Sequence, residues 1–527
     1  MEEAHAPLLP EAFSKTESQQ QAQKLSIDQV LQEWAGELGP AQVRHFTLVS
    51  LAWCLPCFLT FVMVFADQTP DWACVSTVGP SSSMAVAAGN SSTFKPHAAT
   101  IMQKSSSSCT SSSSICSLAP SVWKWTDGKG ASTVSQWDLI CGNSYKVGLV
   151  QCLFFLGIAI ASGFWGGLSD SSLGRKGVLI STCCLSSVLC LATAFSPNYW
   201  AYLVLRFTSG LCAGGVGPSA FVLATEFVGP SKRGPASMSI FFFYACAIIV
   251  FATLAHFTPS WRLLYILSSS LCILYCILAL PFVQESPRWY LARGEVDQAL
   301  TILRRIATTN KKMIPAAITL ETEQVGGNAV KSGTVDIFKN PFTRKRMVIM
   351  LFIWLTCGLS YFGINLNVPN LGGNTSVGLI LNAVGEMPAY LIVAVMMQRY
   401  GRRPVLVCSL LLSGVGCLAG ALAGGSLGRM LCEVVAIFGV AAAYNLVFIY
   451  TAELFPTEVR NAAIGLASQA AQVGAVSAPL AATAAKFHGW IPFAVFSTMS
   501  FLASCLACYL PETREKRMHE TMQGMLV

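Results

Sequence analysis

Apolar runs of about 20 residues alternate with short polar turns along nearly the whole chain. A hydrocarbon layer about 30 Å thick asks that length of each crossing helix. Lipid leaves only helices or closed barrels as spanning structures, because every backbone polar group must be satisfied internally. The runs are too long and continuous for barrel strands of about ten residues with alternating polarity. The pattern predicts twelve helical spans, at 46–66, 147–168, 178–196, 199–222, 236–256, 262–283, 347–366, 375–396, 404–424, 429–450, 464–484 and 490–510. The third and ninth are rich in Leu and Ser and bounded by charged or turn residues, so each counts as a span.

Two long polar stretches interrupt the series. Residues 67–146 are rich in Ser, Thr and Gly, and residues 285–346 carry more Arg and Lys than Asp and Glu. The turns after the second, fourth, eighth and tenth spans read "SLGRK", "GPSKRG", "RYGRRP" and "PTEVR". The positive-inside rule places these turns and 285–346 in the cytoplasm. Both termini are then cytoplasmic, and 67–146 faces outside or a lumen. The expected units are a tail (1–45), a six-helix bundle with its outer loop (46–284), a central loop (285–346), a second bundle (347–510) and a tail (511–527).

Composition agrees. The 527 residues are 53% hydrophobic and 11% charged, where a soluble chain carries about 25% charged residues. The first 40 residues hold no apolar h-region, so the first span is expected to act as an uncleaved signal. Net charge is +8, but no interleaving of basic and aromatic residues suggests a nucleic-acid partner, and nothing calls for a cofactor or metal. In the outer loop, Asn90 opens a glycosylation acceptor, Asn90-Ser91-Ser92. Cys74, Cys109, Cys116 and Cys141 are an even set, compatible with two disulfides in any of three connectivities.

One offset organises the charged motifs. Gly174-Arg175-Lys176 recurs 227 residues later as Gly401-Arg402-Arg403. At the same separation Glu226 meets Glu453, Arg233 meets Arg460, and Glu285 meets Glu512. Six spans were therefore duplicated in one orientation, giving an all-α membrane protein of two parallel six-helix repeats, with a substrate site expected at mid-membrane between them. The repeated charges fall at cytoplasmic ends of spans. Positive-inside topology accounts for the Arg and Lys but not for the glutamates, and the expectation is a charge lock that joins the halves when the cytoplasmic side is closed. In "GFWGGLSDSSLGRKG", Gly163, Gly166 and Gly167 suggest close approach of another helix, with Asp170 at the cytoplasmic edge. A phosphate loop would need Gly-Lys-Ser/Thr after a strand, which is absent.

These motifs together resemble the major facilitator superfamily and, within it, the organic cation/anion transporter family, especially its plant-type organic cation/carnitine members. The resemblance runs from Leu38 to about Gly524. It rests on "WDLIC" at 137–141, "ATEFVGPSKRG" at 224–234, "ESPRWYLARG" at 285–294, which includes Arg288, "YTAELFPTEVRN" at 450–461 and "LPET" at 510–513. Ser171-Ser172-Leu173 puts three residues between Asp170 and Gly174, one more than the superfamily pattern and shared with the plant-type members. In the second copy Met397 and Gln398 stand where an acid is expected, which implies an asymmetric lock.

Charges inside spans are site hypotheses by default. Arg206 matches a widespread superfamily arginine of the fourth span; it reads as a coupling residue or as a structural ion pair or snorkelling side chain. Glu433, its mate at the 227 offset, reads as interfacial. Glu386, in "NAVGEMPAY", lies near the middle of the eighth span, where the family usually has an acid. It could attract a cation or carry a proton, or form a structural pair. Trp354 and Tyr361 are seven apart and share a helix face, and Tyr361-Phe362 matches the family's cavity aromatics. Desolvated aromatic faces attract organic cations; Tyr244 and Tyr444 join the proposed cage. Gln472 occupies a position that the resemblance makes acidic in cation transporters and basic in anion transporters, so the sign of the substrate stays open there.

The resemblance implies a secondary or facilitative transporter, not an enzyme, working by alternating access on a small organic cation or zwitterion such as carnitine, with proton coupling as an option. The alternatives are an organic anion or neutral solute, polyamines included, or a transport-inactive receptor of the same fold. A monomer in the plasma membrane is expected, with the vacuolar membrane as the alternative.

Overall fold

In a computed structural model, residues 23–75, 115–321 and 334–514 are described. A helix stands at each of the twelve predicted spans. They are α1 (Pro40–Ala66), α2 (Tyr145–Asp170), α3 (Gly174–Ala194), α4 (Tyr199–Glu226), α5 (Pro230–His256) and α6 (Trp261–Leu278) in the first half. The second half holds α7 (Pro341–Asn367), α8 (Thr375–Tyr400), α9 (Arg402–Leu422), α10 (Ser426–Leu454), α11 (Thr457–Thr483) and α12 (Ile491–Ala507). Ten of these regions are long and apolar enough to cross a membrane on their own. The other two are α12, of 17 residues, and α11, whose many alanines are joined by Gln469 and Gln472.

Local chemistry starts the helices where they start. Asn198 caps α4 by accepting from the Ala201 amide, and Ser260 caps α6 in the same way. Pro40, Pro230 and Pro341 sit in first turns, where a missing N–H costs nothing. Buried hydroxyls return their protons to carbonyls one turn back, as Thr182 does to Val178 (2.8 Å) and Ser268 to Leu264 (2.6 Å). That satisfies them in lipid without a partner from another helix.

The duplication is visible in the packing. Helix α3 packs on α4 and α6, and α9 packs on α10 and α12. Between α2 and α4, a methyl at Gly157 would strike Phe207 and one at Gly210 would strike Phe154. Between α7 and α11, Gly358 meets Ala471 and Gly474 meets Leu355 equally closely. The halves meet along α2 with α11 and α5 with α8. Gln469 donates to the Ser162 hydroxyl at 2.7 Å across that seam. At the ends beside the outer loop Lys486 reaches the Ser144 carbonyl (3.3 Å) and Thr375 reaches Gln68 (3.3 Å).

Two expectations need correction. Gly163, Gly166 and Gly167 face open space, with nothing near enough to touch an added methyl, so they do not mark a close helix approach. The first span begins at Pro40, six residues earlier than the hydropathy edge, and residues 23–39 before it are folded. Residues Gln23–Leu25 pair in parallel with Ile318–Leu320 of the central loop. Ser26 and Gln29 then form a capping box for a short helix, and Asn310 of the loop donates to the Ala35 carbonyl at 2.8 Å and accepts from the Ala41 amide at 3.0 Å. Residues 285–321 of the central loop are likewise structured: the helix Val296–Thr309 buries Leu300, Leu303 and Ile306 on one face.

In the outer loop Trp72–Cys74 pairs antiparallel with Trp123–Trp125. Cys116 is bonded to Cys141, and Cys74 is also in a disulfide. Cys109 and Asn90 lie outside the described residues.

Candidate transport site and cytoplasmic charge clusters

Along α8, Asn382, Glu386 and Tyr390 stand four residues apart on one face. All three are buried, Glu386 to 1% exposure. Asn382 donates to Asn365 of α7 at 3.2 Å. The phenols of Tyr361 and Tyr390 are the polar neighbours of the Glu386 carboxylate, with Tyr244 of α5 behind them. Neither carboxylate oxygen is held in a closed hydrogen bond, and no cation pairs with it among the described residues. An unpaired carboxylate in a dry site is costly. Aromatic faces surround it: Tyr361 lies against Tyr444 with centroids 6.0 Å apart, and Tyr244 against Trp53 at 6.0 Å. Phe241 and Phe242 of α5 close on Tyr390 across the seam at 5.9 and 5.6 Å.

Other candidates fall beside this group. Phe362 meets Phe155 of the opposite half at 4.9 Å. Trp354 is wholly buried inside the second half, its indole N–H donated to Thr451 (3.0 Å) and its ring against Phe448 (4.4 Å) and Tyr444. Gln472 is half-buried on α11, while Gln469, one turn earlier, makes the bond across the seam. Tyr390 and Trp53 were not anticipated; the four-residue step from Glu386 was the available signal for Tyr390.

Arg206 neither snorkels nor pairs. It is fully buried in α4, donates to the Leu59 carbonyl at 2.7 Å, and lies over the Phe154 ring at 4.1 Å. Its Nε and Nη1 have no hydrogen-bond partner among the described residues. Above it, Asp67 accepts from Thr133 (2.7 Å) and Tyr202 (2.9 Å), and Tyr202 touches Tyr265 (3.0 Å). The outer-loop helix Thr133–Gln136 is thus fastened to the bundle, with Trp261 donating to Gln136 at 2.8 Å. Glu433, expected at the interface, is instead buried to 1% exposure with Oε1 unpartnered. His256 is the exposed last residue of α5.

The repeated charges serve each half separately. Gly174 and Gly401 have φ of 78° and 95°, which favours glycine. Beside each stands a carboxylate from beyond the sixth helix of its half. Glu285 accepts from the Arg175 and Lys176 amides at 3.1 and 3.2 Å, and Glu512 accepts from Arg402 and Arg403 at 2.8 and 3.0 Å. These are the orphan N–H groups of a helix start, and an added methyl on either glycine would strike the carboxylate. Arg175 pairs with Asp170 at 3.2 Å and Glu226 at 3.5 Å; the Arg402 guanidinium pairs with Glu453 at 2.8 Å and also donates to the Met397 carbonyl. Thr513 completes Glu453 (2.6 Å).

In this conformation each of these pairs closes within one half. Arg233 and Arg288 both bind Asp28 of the N-terminal segment, Arg233 at 2.7 Å. Burial raises the Asp28 pKa, but the two guanidiniums outweigh it and hold the carboxyl below its ordinary range. Glu512 is likewise held low, its burial outweighed by four backbone N–H groups. Arg460 lies half-buried on α11.

The sequence pattern of the sugar (and other) transporter family matches residues 98–523. "Organic cation/carnitine transporter 4" of Arabidopsis thaliana is 45% identical, covering 98% of this chain and 94% of that protein. The chain belongs to this transporter family. A human relative, "Organic cation/carnitine transporter 2", is 31% identical over 77% of this chain and 73% of its own length. Among solved structures the inward-open xylose transporter XylE of E. coli aligns with a TM-score of 0.62 at 13% identity, covering 91% of this chain and 98% of that one. Family membership makes the chain a multi-pass membrane protein with the two-repeat major facilitator fold.

Proposed function

We propose that this chain moves a small organic cation or zwitterion, carnitine being the type, across the plasma membrane by alternating access. The observation that carries the reading is Glu386, buried at the seam between the halves with no countercharge and ringed by Tyr361, Tyr390, Tyr244 and Tyr444. A quaternary ammonium would supply the missing charge and lie against the aromatic faces. The names of the relatives agree. Gln472 is neutral, which suits a zwitterion that carries its own anion. Arg206, a buried cation whose nearest acid is the hydrogen-bonded Asp67, is the coupling residue of the first half. A cation entering down the membrane potential gains about 2.3 kcal/mol per 100 mV, so a monomeric uniporter suffices for uptake, and a coupled proton would add to it.

The test is uptake by proteoliposomes holding the purified protein, with labelled carnitine, tetraethylammonium and a dicarboxylate, with and without a pH gradient. Saturable uptake of carnitine or tetraethylammonium is expected. Uptake of the dicarboxylate alone would establish an anion carrier instead, and binding without uptake a receptor.

A further inference from the structure

A second built site lies far from the seam, at the cytoplasmic edge of the first half. A cavity of about 560 Å³ opens between the start of α1, the start of α3, the segment after α6 and the helix Val296–Thr309. Three cations line it: Arg44 and Arg305, both exposed, and Lys176. None of the three makes an ion pair with an acid among the described residues. The one carboxylate in the lining, Glu285, is already engaged by backbone amides of α3. Gln284, Gln298 and Thr301 add hydrogen-bonding groups. The cavity is therefore a polar, net cationic recess.

Its position gives the ligand a second attribute. Phe282, on the cavity wall, is 70% exposed, and Ile277 and Leu278 just before it are 64% and 59% exposed. These residues continue the outward face of α6 from the membrane interior to the lip of the recess. A cationic recess that joins an apolar strip at the inner membrane surface fits a molecule with an anionic head and hydrocarbon tails. We propose that this recess binds an anionic phospholipid, its phosphate held by Arg44, Lys176 and Arg305 and its acyl chains lying along Phe282, Leu278 and Ile277. A soluble phosphate compound shares the head chemistry but has no use for the apolar strip.

The experiment uses the full chain in nanodiscs of equimolar phosphatidylcholine and phosphatidylglycerol, followed by detergent stripping and native mass spectrometry of the lipids retained. The expected result is a preference of tenfold or more for phosphatidylglycerol. One basic group near a membrane surface is worth about a factor of five, so R44Q and R305Q should each lower the preference by about that factor, and the double variant should remove it. R304Q, exposed on the same helix but outside the recess, should stay within twofold of the parent. Arg44 and Arg305 are exposed side chains without hydrogen bonds among the described residues, so both variants are expected to keep the parent melting temperature. Equal retention of the two lipids, or an equal loss in R304Q, overturns the proposal. So does displacement of the lipid by glycerol 3-phosphate as effective as by dihexanoyl phosphatidylglycerol, which would assign the recess to a soluble anion.

Discussion

Glu386 carries the sharpest residue-level expectation, because a charged side chain at mid-membrane is retained against its solvation cost. Replacing it with Gln removes the charge and keeps the shape. For tetraethylammonium we expect KM to rise at least tenfold, measured at equal amounts of reconstituted protein; an unchanged KM would place the cation elsewhere. Gln472→Asp should favour tetraethylammonium and Gln472→Arg a dicarboxylate, read as the ratio of their uptake rates; no change in either would remove Gln472 from the cavity. The pair Arg175–Asp170 is different, since Asp170 is 77% exposed. Exposed pairs contribute about 0–1 kcal/mol, so Asp170→Asn should have a small effect beside Glu226→Gln, compared by uptake rate. At this scale the sequence was informative where chemistry is conspicuous in an apolar run, as at Glu386 and Arg206. It was silent on partners: nothing in the spacing distinguishes Gln472 from Gln469, one turn away, yet only Gln469 bonds across the seam.

Among elements, the start of α9 gathers several local causes: a positive φ at Gly401, a carboxylate against its Cα, and two amides capped by Glu512. Gly401→Ala meets both the strained φ and the carboxylate, so it should lower the melting temperature by several degrees in detergent, and Gly174→Ala should do the same. A second expectation follows from proton linkage. Asp28 and Glu512 have folded-state pKa values below the ordinary range, so the stability they add is complete above the unfolded value near 4 and is lost as pH falls through the folded value. The melting temperature should be flat from pH 7 to about 5 and fall below about 4, with a shallower fall in Glu512→Gln; an equal fall in the variant would exclude Glu512 as a source. The helices and their order were legible because a bilayer imposes one length on each. The N-terminal clasp was not, although "SIDQ" at 26–29 is a capping-box signature. Its three-residue strand is fixed by a partner nearly 300 residues away, which no local pattern encodes. The glutamates were recognised as a repeat, but their targets are backbone amides, which have no identity in a sequence.

For the whole molecule, alternating access requires the extracellular ends of the halves to close and part in turn. Gly148 of α2 sits against Thr483 of α11, where an added methyl would come within 2.8 Å of the threonine oxygen. Gly148→Leu should hold that end apart. Uptake should fall more than tenfold while equilibrium binding of tetraethylammonium stays within twofold; a parallel loss of both would mean misfolding or a site at Gly148 itself. The duplicated architecture was legible from the 227-residue offset. Which ends touch was not, because no repeated motif marks a fit such as Gly148 against Thr483.

The capping of α3 by Glu285, and of α9 by Glu512, has a mechanical consequence. Each bond fastens the beginning of a half's third helix to the chain leaving its sixth, turning four consecutive helices into a closed hoop at the cytoplasmic rim. A hoop resists sliding of its members past one another, and the close contact of α2 with α4 at Gly157 and Gly210 ties a further helix to it. What swings between the two faces of the membrane is then a pair of rigid frames, and the polar links along α2 and α11 are the bearing on which they turn.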